Sequence, residues 1–152
     1  MNARELIIYV TVRQNGNLFR AARSLPADRL DWQPSPGRRS ALDQIQECAT
    51  ALDLFIESIQ DRKLEWTKER YGRWLELRGQ YAALDDLERV CGDNTQRWAA
   101  YVHSLRDDEL DEPVELPFPG EFKLVDLLMY QYWNASYHEG QIEAIRQELP
   151  QP

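Results

Sequence analysis

Four polar side chains recur at helical spacing near the end of the chain: Gln131, Asn134, His138 and Gln141. Intervals of three and four residues place side chains above one another on one face of a helix. The same face carries an apolar seam, formed by Leu124, Leu127, Leu128, Ala135, Ile142 and Ile145. Burying polar groups costs free energy unless each finds a partner. The pattern therefore predicts a functional site or a buried polar network on a helix from Leu124 to Arg146.

His138 is the strongest single candidate for chemistry, because it lies on the inward face of that helix. An isolated inward-facing histidine is more often a hydrogen-bonded core residue than a metal ligand. Asn134, one turn earlier, could contact the same ion or hydrogen-bond the imidazole, although amide oxygens are weak ligands for borderline metals. The residues alone leave both interpretations open.

Glu47 lies on another predicted helix, away from the centre of an apolar face marked by Ile45, Leu52 and Ile59. An unpaired glutamate is seldom buried, so the periodicity favours a solvated carboxylate. The side of the helix that carries Glu47 also includes Ala51 and Leu54. A second buried contact on that side is therefore the alternative.

The composition is that of a globular domain of 152 residues with a net charge of −8. This charge repels a phosphate backbone, so we predict no nucleic-acid partner. The longest strongly apolar run, residues 6–12, is too short to cross a bilayer, and the N-terminus has no signal-peptide pattern, so we expect a cytoplasmic protein without a membrane partner. Cys48 and Cys91 are far apart in sequence and form neither a metal-binding pair nor a disulfide framework.

Four amphipathic stretches must position the candidate residues. Ser40 is a plausible N-cap for the second of them, with Asp43 three residues later. Proline-rich connections occupy residues 26–37 and 111–120. Residues 61–80 either extend a helix or form a crossing segment. No segment shows the alternation of a strand for long. The stretches run from about Arg4 to Ser24, from Ser40 through Ile59, from about Leu84 to Leu105, and from Leu124 to Arg146. We predict one all-α domain over residues 1–152, a four-helix bundle with long crossover loops.

Three segments resemble the signatures of DinB-like (YfiT-type) proteins and occur in the order in which that family has them. The first comprises residues 25–37 (LPADRLDWQPSPG) and 40–47 (SALDQIQE). The second is residues 105–114 (LRDDELDEPV), and the third is residues 128–142 (LMYQYWNASYHEGQI). The resemblance covers nearly the whole chain and implies a four-helix bundle, often a homodimer.

The same resemblance implies a divalent metal site held by three histidines, one from the second helix and two from the fourth. Those positions correspond to Glu47, Asn134 and His138, so only His138 keeps the family residue, and Glu139 replaces the arginine usual before Gly-Gln. Zinc, nickel, manganese or iron are the candidate ions, and a carboxylate ligand favours Mn²⁺ or Fe²⁺. A metal-free cluster, in which Glu47 accepts hydrogen bonds from His138 and Asn134, would satisfy the same groups.

Two functional hypotheses follow from the resemblance. Characterised relatives include S-transferases and isomerases that use low-molecular-weight thiols. The first hypothesis is therefore a metal-dependent thiol S-transferase or related detoxification enzyme, acting on a small electrophile. The alternative is a non-enzymatic protein that binds a small molecule or a protein partner, with the three residues as a metal-free polar network.

Aromatic and apolar residues outside the seam of the last helix predict a further contact surface. They are Met129, Tyr130, Tyr132, Trp133 and Tyr137. A bundle helix cannot bury all its faces internally, so we expect a homodimer interface or cover from the long loops. We also expect Trp32, between prolines, to be partly buried against the bundle near the site.

Overall fold

The structure is a computed structural model that describes residues 1–150. Four long helices form the bundle, and the connections between them carry two shorter helices and one short strand pair. The elements are α1 (Ala3–Arg23), α2 (Ala41–Asp61), α3 (Lys68–Arg78), α4 (Leu84–Ser104), β1 (Pro113–Val114), β2 (Phe122–Lys123), α5 (Leu124–Leu128) and α6 (Tyr130–Glu148). The predicted all-α four-helix bundle is confirmed, while the antiparallel pair of β1 and β2 was not predicted.

Side-chain caps fix where the first two helices begin. Asn2 accepts a hydrogen bond from the backbone N–H of Glu5, whose carboxylate accepts from the backbone N–H of Asn2. Ser40 accepts from the backbone N–H of Asp43, which confirms the predicted cap. Such caps satisfy backbone donors that have no partner inside the helix. The start of α2 in turn sets the face on which Glu47 lies.

Hydrogen bonds between helices show their relative directions. Helix α1 runs antiparallel to α4, α4 runs parallel to α2, and α2 runs antiparallel to α6. The connection from α2 to α4 must therefore cross the length of the bundle, and α3 lies in that connection. The pairs that give these directions are Asn15–Thr95 and Arg23–Asp85 for α1 and α4, Asn94–Ala49 and Arg97–Asp53 for α4 and α2, and Gln44–His138 and Cys48–Asn134 for α2 and α6.

Residues 61–80, for which the sequence left two alternatives, contain the separate helix α3. Its outer position along α2 is fixed by two long side chains. The Trp74 indole N–H donates to the Thr50 hydroxyl at 2.9 Å, and Arg78 donates to the Asp43 carbonyl at 2.5 Å. Higher residue numbers on α3 thus meet lower numbers on α2, so the two helices are antiparallel. This arrangement brings Arg78 to the first turns of α2.

The last predicted helix is divided into α5 and α6 at Met129. The whole apolar seam from Leu124 to Ile145 is buried. Of the polar stripe, Gln131, Asn134 and His138 are buried and Gln141 is partly exposed. The core has two apolar clusters, and along α5 and α6 the buried amides lie between Leu128 of the first and Ala135 of the second.

The surface of α6 partly follows the sequence expectation. Met129 and Tyr130 pack against the first apolar cluster, whereas Trp133 and Tyr137 are 58% and 53% exposed and stack with ring centroids 5.9 Å apart. Homodimerisation stays a prediction. Trp32 is partly buried against the second cluster, as expected, while its position near the site stays a prediction. Within residues 1–150, each helix is too short or too polar to cross a membrane.

Candidate functional site

The centre of the site is the contact between His138 on α6 and two side chains of α2. The His138 Nδ1 lies 2.8 Å from the Gln44 Oε1, and Nε2 lies 3.1 Å from the Glu47 Oε1. Both ring nitrogens therefore face oxygen acceptors. An imidazolium would donate to both, and a neutral ring would satisfy both only if Gln44 presented its amide NH₂ instead. The His138 side chain is 4% exposed, so either arrangement is largely shielded from solvent.

The second oxygen of Glu47 belongs to an ion-pair network. Its Oε2 lies 2.7 Å from the Arg39 Nη1 and 3.7 Å from the Arg78 Nη1. Burial alone would raise the pKa of Glu47, but the His138 hydrogen bond and the Arg39 charge outweigh burial and lower the pKa to about 2. Hydrogen bonds and positive neighbours both favour the ionised form of a carboxylate. Glu47 is therefore a carboxylate throughout the neutral range.

Arg78 and Arg39 are held in place by Asp43. Arg78 donates to both the carbonyl and the carboxylate of Asp43, and Arg39 donates to the same carboxylate and carbonyl. The Arg78 guanidinium carbon lies 4.9 Å from the centroid of the Trp74 ring, a cation–π arrangement. Its side chain is 7% exposed, while that of Arg39 is 40% exposed. The network thus has one buried and one accessible guanidinium.

Asn134 is buried one turn before His138, but its contacts are with Cys48. The Asn134 Nδ2 lies 3.7 Å from the Cys48 Sγ, and the Sγ lies 3.9 Å from the Asn134 carbonyl. Burial raises the pKa of the Cys48 thiol well above its usual range and raises the pKa of Cys91 to about 12. A thiol that stays protonated is a poor nucleophile. Neither cysteine is therefore suited to covalent chemistry.

A cavity of about 860 Å³ opens beside the ion-pair network. Helix α3, helix α2, Tyr130 and the segment 116–118 enclose it, and Arg39, Asp43, Glu47 and Arg78 form its polar side. The remaining wall is largely aromatic and consists of Phe55, Trp66, Tyr71, Trp74, Phe118 and Tyr130, together with Leu64, Leu75, Leu116, Pro117 and Leu127. A concave apolar cavity with a few polar groups at one end is the usual form of a small-molecule site.

The structure brings two of the three predicted site residues into contact. Glu47 and His138 are in contact, as the resemblance implied, and the solvated interpretation of Glu47 was wrong because its side chain is 15% exposed. Asn134 lies nearby without a hydrogen bond to either within residues 1–150. Four further residues of the site were not predicted from the sequence: Arg39, Asp43, Gln44 and Arg78. Arg39 and Asp43 carried a signal, because positions 39, 43 and 47 recur at a helical spacing of four residues.

The residues present do not fit a divalent metal ion held by three protein ligands. Glu47 and His138 are the two strong donors, but the Glu47 oxygens already bind the imidazole and Arg39. Two guanidinium groups within 4 Å of that carboxylate would repel a cation. Residues 1–150 contain no group of three or more His, Cys, Asp or Glu side chains placed to hold a metal. The metal-ligand role of Glu47, Asn134 and His138 stays a prediction.

The sequence profile of the DinB superfamily matches residues 11–142, a range that includes every residue of this site. The protein belongs to the DinB superfamily. The match begins within α1 and ends in α6, so it covers all four helices of the bundle. A comparison with curated proteins gives no match.

Solved structures confirm the DinB fold. YfiT from Bacillus subtilis, described as a probable metal-dependent hydrolase with an unusual four-helix bundle topology, has a TM-score of 0.75 at 16% identity, over 97% of this chain and 89% of YfiT. A DinB-like protein from the same organism has a TM-score of 0.64 at 16% identity, over 94% and 90% of the chains. The colibactin self-resistance protein ClbS, solved with double-stranded DNA, has a TM-score of 0.71 at 11% identity, over 97% of both chains. At these identities the likeness shows the fold alone.

Proposed function

We propose that this DinB-superfamily protein binds a small, largely apolar molecule in the aromatic cavity, without a divalent metal ion. The observation that carries the proposal is the cavity of about 860 Å³ beside a carboxylate that arginines neutralise. In this interpretation Glu47 positions His138 and Arg39, and Asn134 is part of the core. The proposal corresponds to the non-enzymatic alternative from the sequence analysis.

Charge balance supports the metal-free part of the proposal. Arg39 and Arg78 match Asp43 and Glu47 in number, so these four charges balance without an added cation. The carboxylate, the guanidinium groups and the imidazole all have partners inside the protein, as buried charges require. A thiol S-transferase that depends on a metal would need Arg39 to leave Glu47. That hypothesis stays a prediction without further support from the geometry.

Binding to the cavity can be measured with the fluorescent probe N-phenyl-1-naphthylamine, after metal is removed with a chelator. We expect saturable binding that added Zn²⁺ does not change. Leu75→Trp should weaken binding because Leu75 lines the cavity and is 41% exposed, so a larger side chain can narrow the entrance. Leu77→Trp is the matched control, since Leu77 is on the same helix but lines a different, smaller pocket. Absence of probe binding to the wild type would contradict the proposal.

Metal binding is tested separately by isothermal titration with zinc, nickel and manganese. We expect no binding heat for the wild type, and a gain of Zn²⁺ binding for Arg39→Ala combined with Asn134→His. The double substitution frees Glu47 and adds an imidazole one turn from His138, giving a Glu-His-His set. Arg39→Ala combined with Gln141→His is the control, because it adds the imidazole at a different position on the same helix. Tight binding by the wild type that His138→Ala abolishes would instead favour the metal-dependent enzyme.

The proposal includes no nucleic-acid partner, and this part rests on the net charge of −8. DNA in the ClbS structure makes a direct measurement worthwhile. Fluorescence anisotropy with a labelled DNA duplex at low salt should show no binding, because low salt maximises any attraction to phosphates. A rise in anisotropy that high salt reverses would contradict this part of the proposal.

A further inference from the structure

Arg78 has hydrogen-bond donors that the protein does not use. Both of its hydrogen bonds come from Nη2 and go to Asp43. Within residues 1–150, its Nε and Nη1 donate no hydrogen bond, although Nη1 lies 3.7 Å from the Glu47 carboxylate. The side chain is 7% exposed and lines the cavity. The Arg78 Nε and Nη1 are not among the fully buried atoms that lack a partner within residues 1–150, so they are open to an acceptor that arrives with a ligand in the cavity.

The surroundings of Arg78 restrict the ligand that can supply this acceptor. The Trp74 ring covers the guanidinium, and the adjoining wall is built from aromatic rings. Aromatic side chains pack best against other flat rings in offset or edge-to-face geometry. Hydrogen bonds from a guanidinium are strongest to ionised oxygens. The cavity therefore matches a flat aromatic body with a carboxylate or sulfonate at one end.

We propose that Arg78 is the specificity-determining residue of the cavity and binds the anionic oxygen of an aromatic ligand. This inference rests on the proposed function, because it names the class of molecule that the cavity takes. Asp43 holds Arg78 at one end of the cavity, so the anionic end of the ligand lies beside the ion-pair network. The aromatic body lies against Trp74 and the rings beyond it.

Two probes that differ by one group test the inference. 8-Anilinonaphthalene-1-sulfonate carries an anionic sulfonate, and N-phenyl-1-naphthylamine is the same ring system without it. We expect Arg78→Met to weaken binding of the sulfonate about tenfold or more, the value of a hydrogen bond to a charged group, and to leave the neutral probe unaffected. Arg73→Met is the matched control, because Arg73 is on the same helix outside this cavity, and it should change neither affinity.

Arg78→Lys keeps the positive charge and can still reach Asp43, but it removes the planar Nε and Nη1 donors. We expect this variant to keep its thermal unfolding temperature and to lose affinity for the sulfonate only. Unchanged sulfonate binding in both Arg78 variants would overturn the inference. Equal loss of both probes would also overturn it, because Arg78 would then shape the cavity without binding the anion. If the wild type binds neither probe, the proposed function itself fails.

Discussion

At Gln131, helix α6 contacts an amide and a backbone carbonyl, whereas two turns later, at His138, it contacts an amide and a carboxylate that also pairs with two guanidinium groups. The Gln131 amide donates to the Asn15 Oδ1 at 3.1 Å and to the Cys48 carbonyl at 3.0 Å. Asn15 in turn donates to the Thr95 hydroxyl at 2.9 Å. This neutral network joins all four helices of the bundle. It has no titratable group and no opening to the cavity described above.

The charged network around His138 is built in a different way. It involves α2, α3 and α6, and two partly exposed members, Arg39 and Asp43, connect it with solvent. The geometry of this network depends on the ionised form of Glu47. Against the effect of burial, His138 and Arg39 lower the pKa of this carboxylate, and the carboxylate in turn holds both groups in place. The comparison shows how one helix can use buried polar residues for two purposes. The neutral network fixes the packing of the bundle, and the charged network provides a polar end for a binding cavity.

The largest effect that we expect on stability comes from Glu47→Gln. The folded pKa of Glu47 is about 2 against an ordinary value of 4.5, so its ionisation stabilises the fold above about pH 4.5, and this contribution is lost as the pH falls towards 2. Near pH 7 the substitution should lower the free energy of unfolding by about 3 kcal/mol, and this difference should fall to roughly half near pH 3, because the folded pKa of about 2 lies below that pH. Urea unfolding near pH 7 and near pH 3 measures both.

Glu143→Gln is the control for this prediction, because Glu143 forms a partly exposed ion pair with Arg146 on the same helix. Such surface pairs contribute about 0–1 kcal/mol. If Glu47→Gln were no more destabilising than this control near pH 7, the charged network would not be stabilised by Glu47.

A smaller effect, without pH dependence, is expected from Gln131→Met in the neutral network. The substitution keeps the length of the side chain but leaves Asn15 Oδ1 and the Cys48 carbonyl without their donor. An unpaired buried acceptor costs about 1–3 kcal/mol, so the free energy of unfolding should fall by about 2 kcal/mol. Gln141→Met, at the partly exposed end of the same stripe, should have little effect. A loss for Gln131→Met that changed between pH 7 and pH 3 would show that the two networks are coupled.

The smallest effect is expected from Thr11→Val. The Thr11 hydroxyl is fully buried and has no hydrogen-bond partner within residues 1–150. Valine has nearly the same shape without the polar group, so the free energy of unfolding should stay the same or rise by up to about 1 kcal/mol. Thermal unfolding measures the change, with Thr50→Val as the contrast, because Thr50 accepts from Trp74 and donates to the Gln46 carbonyl. A clear loss for Thr11→Val would indicate a buried water bound at the hydroxyl.

The long helices, the buried seam of α6 and the resemblance to DinB-like proteins could all be predicted from the sequence. Helical periodicity is local, so the inward position of His138 and the cap at Ser40 could be inferred from a few neighbouring residues. Two features were not evident from the sequence. The break at Met129 interrupts an apolar pattern that continues on both sides of it, and the apolar pattern of helix α3 is weak. The pairing of β1 and β2 involves only two residues on each strand, too few for a recognisable alternation.

The charge balance of the site could not be predicted from the sequence, because it depends on how the helices pack. Glu47 lies off the apolar centre of α2, and the sequence cannot show that α3 returns along this side and covers it. Arg78 is 31 positions further along the chain, and only the antiparallel packing of α3 on α2 brings its guanidinium to Glu47 and Asp43. Long-range ion pairs depend on the path of the chain, and local periodicity carries no information about that path. For this reason the sequence indicated which residues could bind a metal, and the structure showed that arginines already neutralise the carboxylate.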